Sequence, residues 1–380
     1  MRITHDSTDF LHWTQNKLPL SLAMVNLSTK RDNKMKIKTL FTSVIVATTM
    51  TMGVVGAASA GATLDIVKKR GHLRCQVGLP TPGFYNMSSK GDWSGFDVQT
   101  CRAVAAAIFG DADKLEIQSI GSNARFTALA NGESDMLSRT ATWTMSRDTQ
   151  LGLDFLPPNF YDGQGFTVRK DSGITSALQL KGAKVCVTTG TTSELNLADF
   201  NRTHNLKISA VTFEDWNVRD DTFLKGGCDA VTVDKSSLAG NMAAFPVPGD
   251  YTILAETLSK EPLAPAVRHG DNQWADLVRW SFYAMVNAEE LGITSANVDD
   301  MRANSKDPKI RRLLGLEGNI HEGLSLKKDW AYNIIKQVGN YGENYETFIG
   351  GGKNAIGIPR EGSLNALWTN GGLIYSPPMR

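Results

Sequence analysis

This chain of 380 residues has little of what metal or redox chemistry needs. It holds four cysteines and six histidines. No C-x-x-C occurs, and His72, His204, His269 and His321 are scattered, so no spacing suits a bound metal. H-E-x-x-H, G-x-S-x-G and a phosphate-binding Gly-Lys loop are all missing, which sets aside the common metalloprotease, serine-hydrolase and P-loop chemistries. No metal and no cofactor are expected. Charge of one sign is lacking too: the formal net charge is +1, without the strongly basic footprint that nucleic acid or an anionic membrane calls for. No repeat of 20 to 50 residues is present, and the only low-complexity stretch is Gly350-Gly351-Gly352. Neutral balance fits a binder of small molecules.

Near the start, Lys34 to Lys38 form a basic patch, Leu40 to Val55 an apolar run softened by threonine, and Ala58-Ser59-Ala60 a small-residue cleavage motif. These are the parts of a secretory signal peptide. The apolar run is short of the roughly 20 residues a membrane span needs. Met35 reads as the better start, so residues 1–34 are expected to be a non-native or unstructured extension, 35–60 a leader, and the mature chain to begin near Gly61. No cysteine follows the cleavage motif directly, which favours a soluble, exported protein over a lipid-anchored one. The remaining length suggests two domains, at about 150 residues each.

All four cysteines lie in the mature part, and an oxidising compartment permits disulfides. Three connectivities are possible. Cys75 falls in a first strand and Cys101 in the helix after it, while Cys186 and Cys228 lie in or beside two strands of the middle region. Pairing within each region, Cys75 with Cys101 and Cys186 with Cys228, is the economical choice.

Strand and helix patterns alternate. Leu73 to Leu79, Leu115 to Ile120 and Ser134 to Thr140 read as strands, with helices over Asp97 to Phe109 and Arg125 to Asn131. Proline and glycine then punctuate Leu156 to Phe166, which reads as a crossover. A second series follows: strands at Ala183 to Thr188, Ala210 to Phe213 and Asp229 to Val233, and a helix at Ser193 to Phe200. Tyr251 to Glu256 reads as the way back, and Gln273 to Leu291 has the apolar period of an amphipathic helix. Alternation of this kind predicts an α/β protein. Its first lobe would be discontinuous, 61–163 and 255–380 with the C-terminal helices, and its second, 164–254, inserted.

The chemistry concentrates in Asp135 to Arg147, D-M-L-S-R-T-A-T-W-T-M-S-R, where hydroxyls and guanidinium groups share one short segment. Gly190-Thr191-Thr192 follows at a helix start, with a capping-box pattern from Thr191 to Glu194, and Asp234 ends an apolar run. Hydroxyls, free amides, arginine and one carboxylate suit a zwitterion. These motifs closely resemble those of the periplasmic substrate-binding proteins of ABC-type amino-acid transporters, solute-binding protein family 3, and most nearly the general L-amino-acid-binding group. The tail Asn365 to Pro378 resembles that group's tail as well.

The resemblance implies a type II periplasmic binding fold: two lobes, each a mostly parallel sheet flanked by helices, joined by two hinge segments. It implies that Arg147 clamps the ligand α-carboxylate, helped by Thr140, Thr142, Thr144 and Thr192, and that Asp234 holds the α-ammonium. The same residues have plainer readings, Arg147 as a surface partner of Asp148 and Asp234 as the cap of a helix near Ser236. Arg139, on the opposite parity from Thr140, should point away from the cleft. Phe84 or Tyr85 takes the place of the aromatic that stacks on the ligand in relatives, and Trp143 either walls the pocket or fills the core. The implied partners are a free L-amino acid, acidic and polar ones and their amides favoured, and the transmembrane subunits of a permease, with the protein a periplasmic monomer. An enzyme on the same fold, such as an arogenate or prephenate dehydratase, and a partner of a chemoreceptor are the alternatives.

Overall fold

The computed structural model describes residues 62–353 and 355–380. The extension 1–34 and the leader 35–60 lie outside the described residues. Among the described residues, no helix is long and apolar enough to cross a membrane.

Two five-stranded sheets repeat one plan. In the first, Leu73–Val77 lies between Leu115–Ser119 and Met136–Leu137, all parallel, with Ala266–Arg268 antiparallel beyond them and Leu153–Phe155 at the edge. In the second, Lys184–Thr188 lies between Ser209–Phe213 and Ala230–Asp234, again parallel, with Gln164–Arg169 antiparallel and Tyr251–Ile253 at the edge. The strands of the second sheet fall between those of the first along the chain. One lobe is therefore split and the other inserted.

The connections run side by side. Phe160–Asp162 leads out and Glu261–Leu263 leads back, and the two pair antiparallel with Asp162 opposite Glu261. The return was expected at Tyr251 to Glu256, but Tyr251–Ile253 belongs to the second sheet. Pro262 conceals the true crossing: without an N–H it reads as loop, although a short edge strand tolerates it.

Helix Phe96–Phe109 covers the first sheet, and its buried run Ala103 to Ala107 lets helices Asn272–Glu290 and Trp330–Val338 approach closely. Its entry depends on Gly95. There φ is +135°, and a Cβ would sit 2.3 Å from the Phe84 carbonyl oxygen. The core beneath is aromatic: Phe84 meets Phe160 edge-on at 5.3 Å, and Phe96 meets Tyr341 at 5.5 Å. Contacts of this kind add about 0.5–1.5 kcal/mol each beyond area burial.

Each lobe holds one disulfide. Cys75 is bonded to Cys101 and Cys186 to Cys228, with Cα atoms 6.0 and 5.8 Å apart. In the chain-entropy view, loops of this size give about 3–4 kcal/mol apiece. The C-terminal segment is stitched to the rest by polar contacts. Arg360 ion-pairs Glu289, Trp368 Nε1 donates to Glu290 at 3.0 Å, and the Asn365 amide bonds the Tyr161 peptide both ways, accepting from its N–H at 2.7 Å and donating to its carbonyl at 2.9 Å.

Candidate functional site

Between the sheets lies a cleft of about 580 Å³, part of it open to solvent, lined from both lobes. Lobe 1 supplies Tyr85, Ser122, Arg125, Arg139, Thr140, Thr142 and Arg147. Lobe 2 supplies Thr192, Trp216, Arg219 and Asp234.

On lobe 1, the expected strand Ser134 to Thr140 shrinks to Met136–Leu137, because Asp97 on the covering helix takes hold of the chain beyond it. The Asp97 carboxylate accepts from Thr140 N at 2.8 Å, Asn159 Nδ2 at 2.9 Å and Ser138 Oγ at 3.2 Å. Thr140 adopts φ +23°, a conformation uncommon outside glycine. Strand alternation ends there. Arg139, expected to point away, therefore joins Thr140 on the cleft wall, with Nη1 donating to Ile120 O at 2.7 Å and its guanidinium 5.9 Å from the Trp216 ring.

The segment then lies along the return crossing. Ala264 N donates to Ala141 O and Trp143 N to Pro262 O, and Thr142 bridges Leu263. Thr144 caps helix Met145–Gln150 by accepting from Arg147 N at 3.3 Å and does not line the cleft, so its expected ligand contact is corrected to a structural role. Arg147 turns back into the cleft instead of out to Asp148, donating Nη1 to Thr142 O at 2.9 Å and stacking 5.0 Å over Phe126.

Two aromatic assignments also change. Phe84 is 1% exposed and belongs to the core. The turn closed by Thr81 N on Tyr85 O sends its neighbour Tyr85 to the cleft, where its hydroxyl bonds Thr140 Oγ1 at 2.9 Å. Trp143 is 39% exposed and lines a separate groove with Pro157, Pro158 and Tyr375, because the bonds to the return strand aim its neighbour Thr142 inward. Trp216 is the aromatic on the opposite wall.

On lobe 2, Thr191 caps helix Thr192–His204, accepting from Glu194 N at 3.2 Å while Glu194 takes Gly190 N at 2.8 Å. That leaves Thr192 at the helix start, facing the cleft. Asp234 stands at the end of its strand, 6% exposed, and makes no side-chain cap bond to helix Lys235–Ala243. The capping alternative is absent from the structure.

The electrostatics are lopsided. Arg125, Arg139 and Arg147 are bonded to carbonyls and a hydroxyl, and among the described residues no carboxylate ion-pairs any of them. Burial lowers all three from the ordinary arginine value, Arg147 to about 10. Burial raises Asp234 well above the carboxylate range, the charges of Asp162 and Glu261 adding to it while Arg147 and Arg125 pull the other way. Asp162, on the outgoing crossing, is pushed up to about 6 by burial, against hydrogen bonds from Ser236 and Gly163. Buried groups of both signs left without partners are costly. Here they converge on one space.

Glu261, Arg125, Arg219 and Trp216 were not anticipated. Each meets at least one partner from a distant segment, such as Gly190 O for Arg125, Thr188 Oγ1 for Arg219 and Pro80 O for Trp216, and a buried Glu or Arg has the same local sequence as an exposed one. Only the Asp215-Trp216 pair gave a signal, since Asp215 caps the helix that begins at Trp216.

Two hinged lobes closing on a charged cleft define a solute-binding protein. Residues 73–296 match the model of the bacterial extracellular solute-binding proteins, family 3, and the chain belongs to that family. It is 51% identical to a glutamate/glutamine/aspartate/asparagine-binding protein of Rhodobacter capsulatus, covering 86% of this chain and 96% of that one. It is 50% identical to a general L-amino acid-binding periplasmic protein of Rhizobium johnstonii, covering 86% and 95%. Among solved structures, an ABC transporter periplasmic binding protein from Brucella ovis with glutathione bound superimposes with a TM-score of 0.81 at 50% identity, covering 84% of this chain and 99% of that one. Family and relatives are transport proteins and not enzymes, which removes the dehydratase alternative.

Proposed function

We propose that this protein captures free L-amino acids in the periplasm, acidic ones and their amides foremost, and delivers them to an ABC-type permease. The observation that carries the reading is a pair of groups of opposite charge type on the two lobes, half-buried Arg147 and buried Asp234, that face one cleft and have no ion-pair partner among the described residues. An α-carboxylate answers the first and an α-ammonium the second. Only a closed cleft lets one ligand reach both, so binding favours closure. Thr140, Thr142 and Thr192 complete the wall. Arg125 and Arg139 add positive charge that a second carboxylate would satisfy, in keeping with the ligands named for the Rhodobacter relative. The γ-glutamyl end of glutathione, the molecule bound in the Brucella relative, carries the same free α-ammonium and α-carboxylate, so the same anchors suit it. All these groups come from one chain, and a monomer suffices. Export by the leader at 35–60 belongs to the same proposal.

A thermal-shift screen of the mature protein against the twenty amino acids and glutathione tests this. Stabilisation by glutamate, glutamine, aspartate and asparagine is the expected result. No response to any α-amino acid would overturn it.

A further inference from the structure

Glu261 sits on the return crossing strand, 2% exposed, and draws donors from both lobes. Oε2 accepts from the Thr142 hydroxyl of lobe 1 and from Thr192 Oγ1 of lobe 2 at 3.1 Å. Oε1 accepts from Asn196 Nδ2 at 2.8 Å and from Ser259 Oγ. An ionised carboxylate offers about four lone-pair sites, and here all are filled by donors.

The consequence falls on the two threonines. Each hydroxyl has one proton, and each oxygen lies within bonding distance of Glu261 Oε2. Their oxygens lie only 3.2 Å apart, where either could donate to the other, but the Glu261 carboxylate is the stronger acceptor and draws both protons. Two acceptors are thus held side by side on the cleft wall, one from each lobe. Arg147 already directs Nη1 to the Thr142 carbonyl, and the Asp234 carboxyl lines the same cleft. A group that donates several hydrogen bonds and carries positive charge is what this corner lacks.

We propose that Glu261 is a positioning residue that sets the polarity of the cleft: by taking the protons of Thr142 and Thr192 it turns both hydroxyls into acceptors for the ligand ammonium. This rests on the amino-acid reading above and changes one part of it. Thr142 and Thr192 side chains then serve the ammonium with Asp234, and the carboxylate is left to the guanidinium of Arg147 and the unpaired amides at the start of helix Thr192–His204. Because the donors to Glu261 come from both lobes, the acceptor pair exists only when the lobes are together.

The test compares glutamate with glutarate, which has the same two carboxylates and no ammonium, by calorimetry with direct and competition titrations. In Glu261→Gln the side-chain amide can accept at only one atom, so the hydroxyl protons are released toward the cleft. Glutamate should weaken by roughly 10- to 100-fold, the measure of a charge-assisted hydrogen bond, while glutarate is unchanged or tighter. Thr192→Val, nearly isosteric, should act in the same direction and serves if the glutamine variant folds poorly. Equal weakening of both ligands in these variants would reduce Glu261 to a structural brace and overturn the proposal, as would no change in either. Wild-type protein that binds no amino acid would instead overturn the function on which it rests.

Discussion

Arg147 of lobe 1 and Arg219 of lobe 2 line the same cleft with the same side chain, yet they differ in what already satisfies them. Arg219 is ion-paired with Asp220 at 2.7 Å and donates to Thr188 Oγ1 at 3.1 Å. Arg147 has one carbonyl and an aromatic face. A charge that the protein has neutralised is part of its architecture, and one that it has left open is a demand on something from outside. Proximity to a cleft does not separate the two roles. Partnership does.

The sharpest way to break this contrast is to remove both arginines in turn. Arg147→Ala should raise Kd for every amino acid by two orders of magnitude or more, since losing one member of a desolvated pair costs about 3–5 kcal/mol, with little change in the Tm of the free protein. Unaltered affinity in calorimetry would contradict the assignment. Arg219→Ala should do the reverse, lowering Tm by several degrees because Asp220 is left half-buried without its cation, while affinity in the folded fraction changes less than about threefold.

Asp234→Asn comes next in size. The amide keeps the shape and loses the charge, so glutamate, glutamine and aspartate should all weaken by a similar factor, about 10-fold or more. Unequal losses among the three would show that the residue reads side chains.

The smallest effect concerns pH. A buried carboxyl raised in the folded state stabilises the fold while it stays protonated, and that advantage is lost as pH rises through its folded value. For Asp162 the window runs from its ordinary 3.8 to about 6. Ligand-free protein should therefore lose stability across that range, a Tm fall of a few degrees by calorimetry, and saturating glutamate should flatten the slope by supplying an ammonium beside Asp234. A ligand-free Tm that climbs steadily from pH 4 to pH 6 would contradict the shared burden of these carboxyls.

How far the sequence reached follows the range of the interactions. Alternating strands and helices are set by local pattern, and so the α/β class was legible. The Thr191 cap and the strand-end position of Asp234 are local too. Arg139 was misplaced because Asp97, far back in the chain, breaks the alternation that a short strand would otherwise keep. Phe84 and Tyr85 are adjacent in a turn, and only the turn's closure decides which of them faces the cleft. Glu261 gave no sign at all. Its four donors are gathered from Thr142, Thr192, Asn196 and Ser259, and no window of neighbours contains them.

The amide of Asn365 has a mechanical consequence. With its own strand partner on one edge and that side chain on the other, the Tyr161 peptide is gripped on both flanks and makes a poor pivot. Swivelling is pushed two residues along the chain, to Gly163 between the crossing strand and strand Gln164–Arg169, where the absence of a side chain eases the turn. The last twenty residues therefore act as a bearing housing, and a truncation ahead of Asn365 should loosen the joint without touching the cleft.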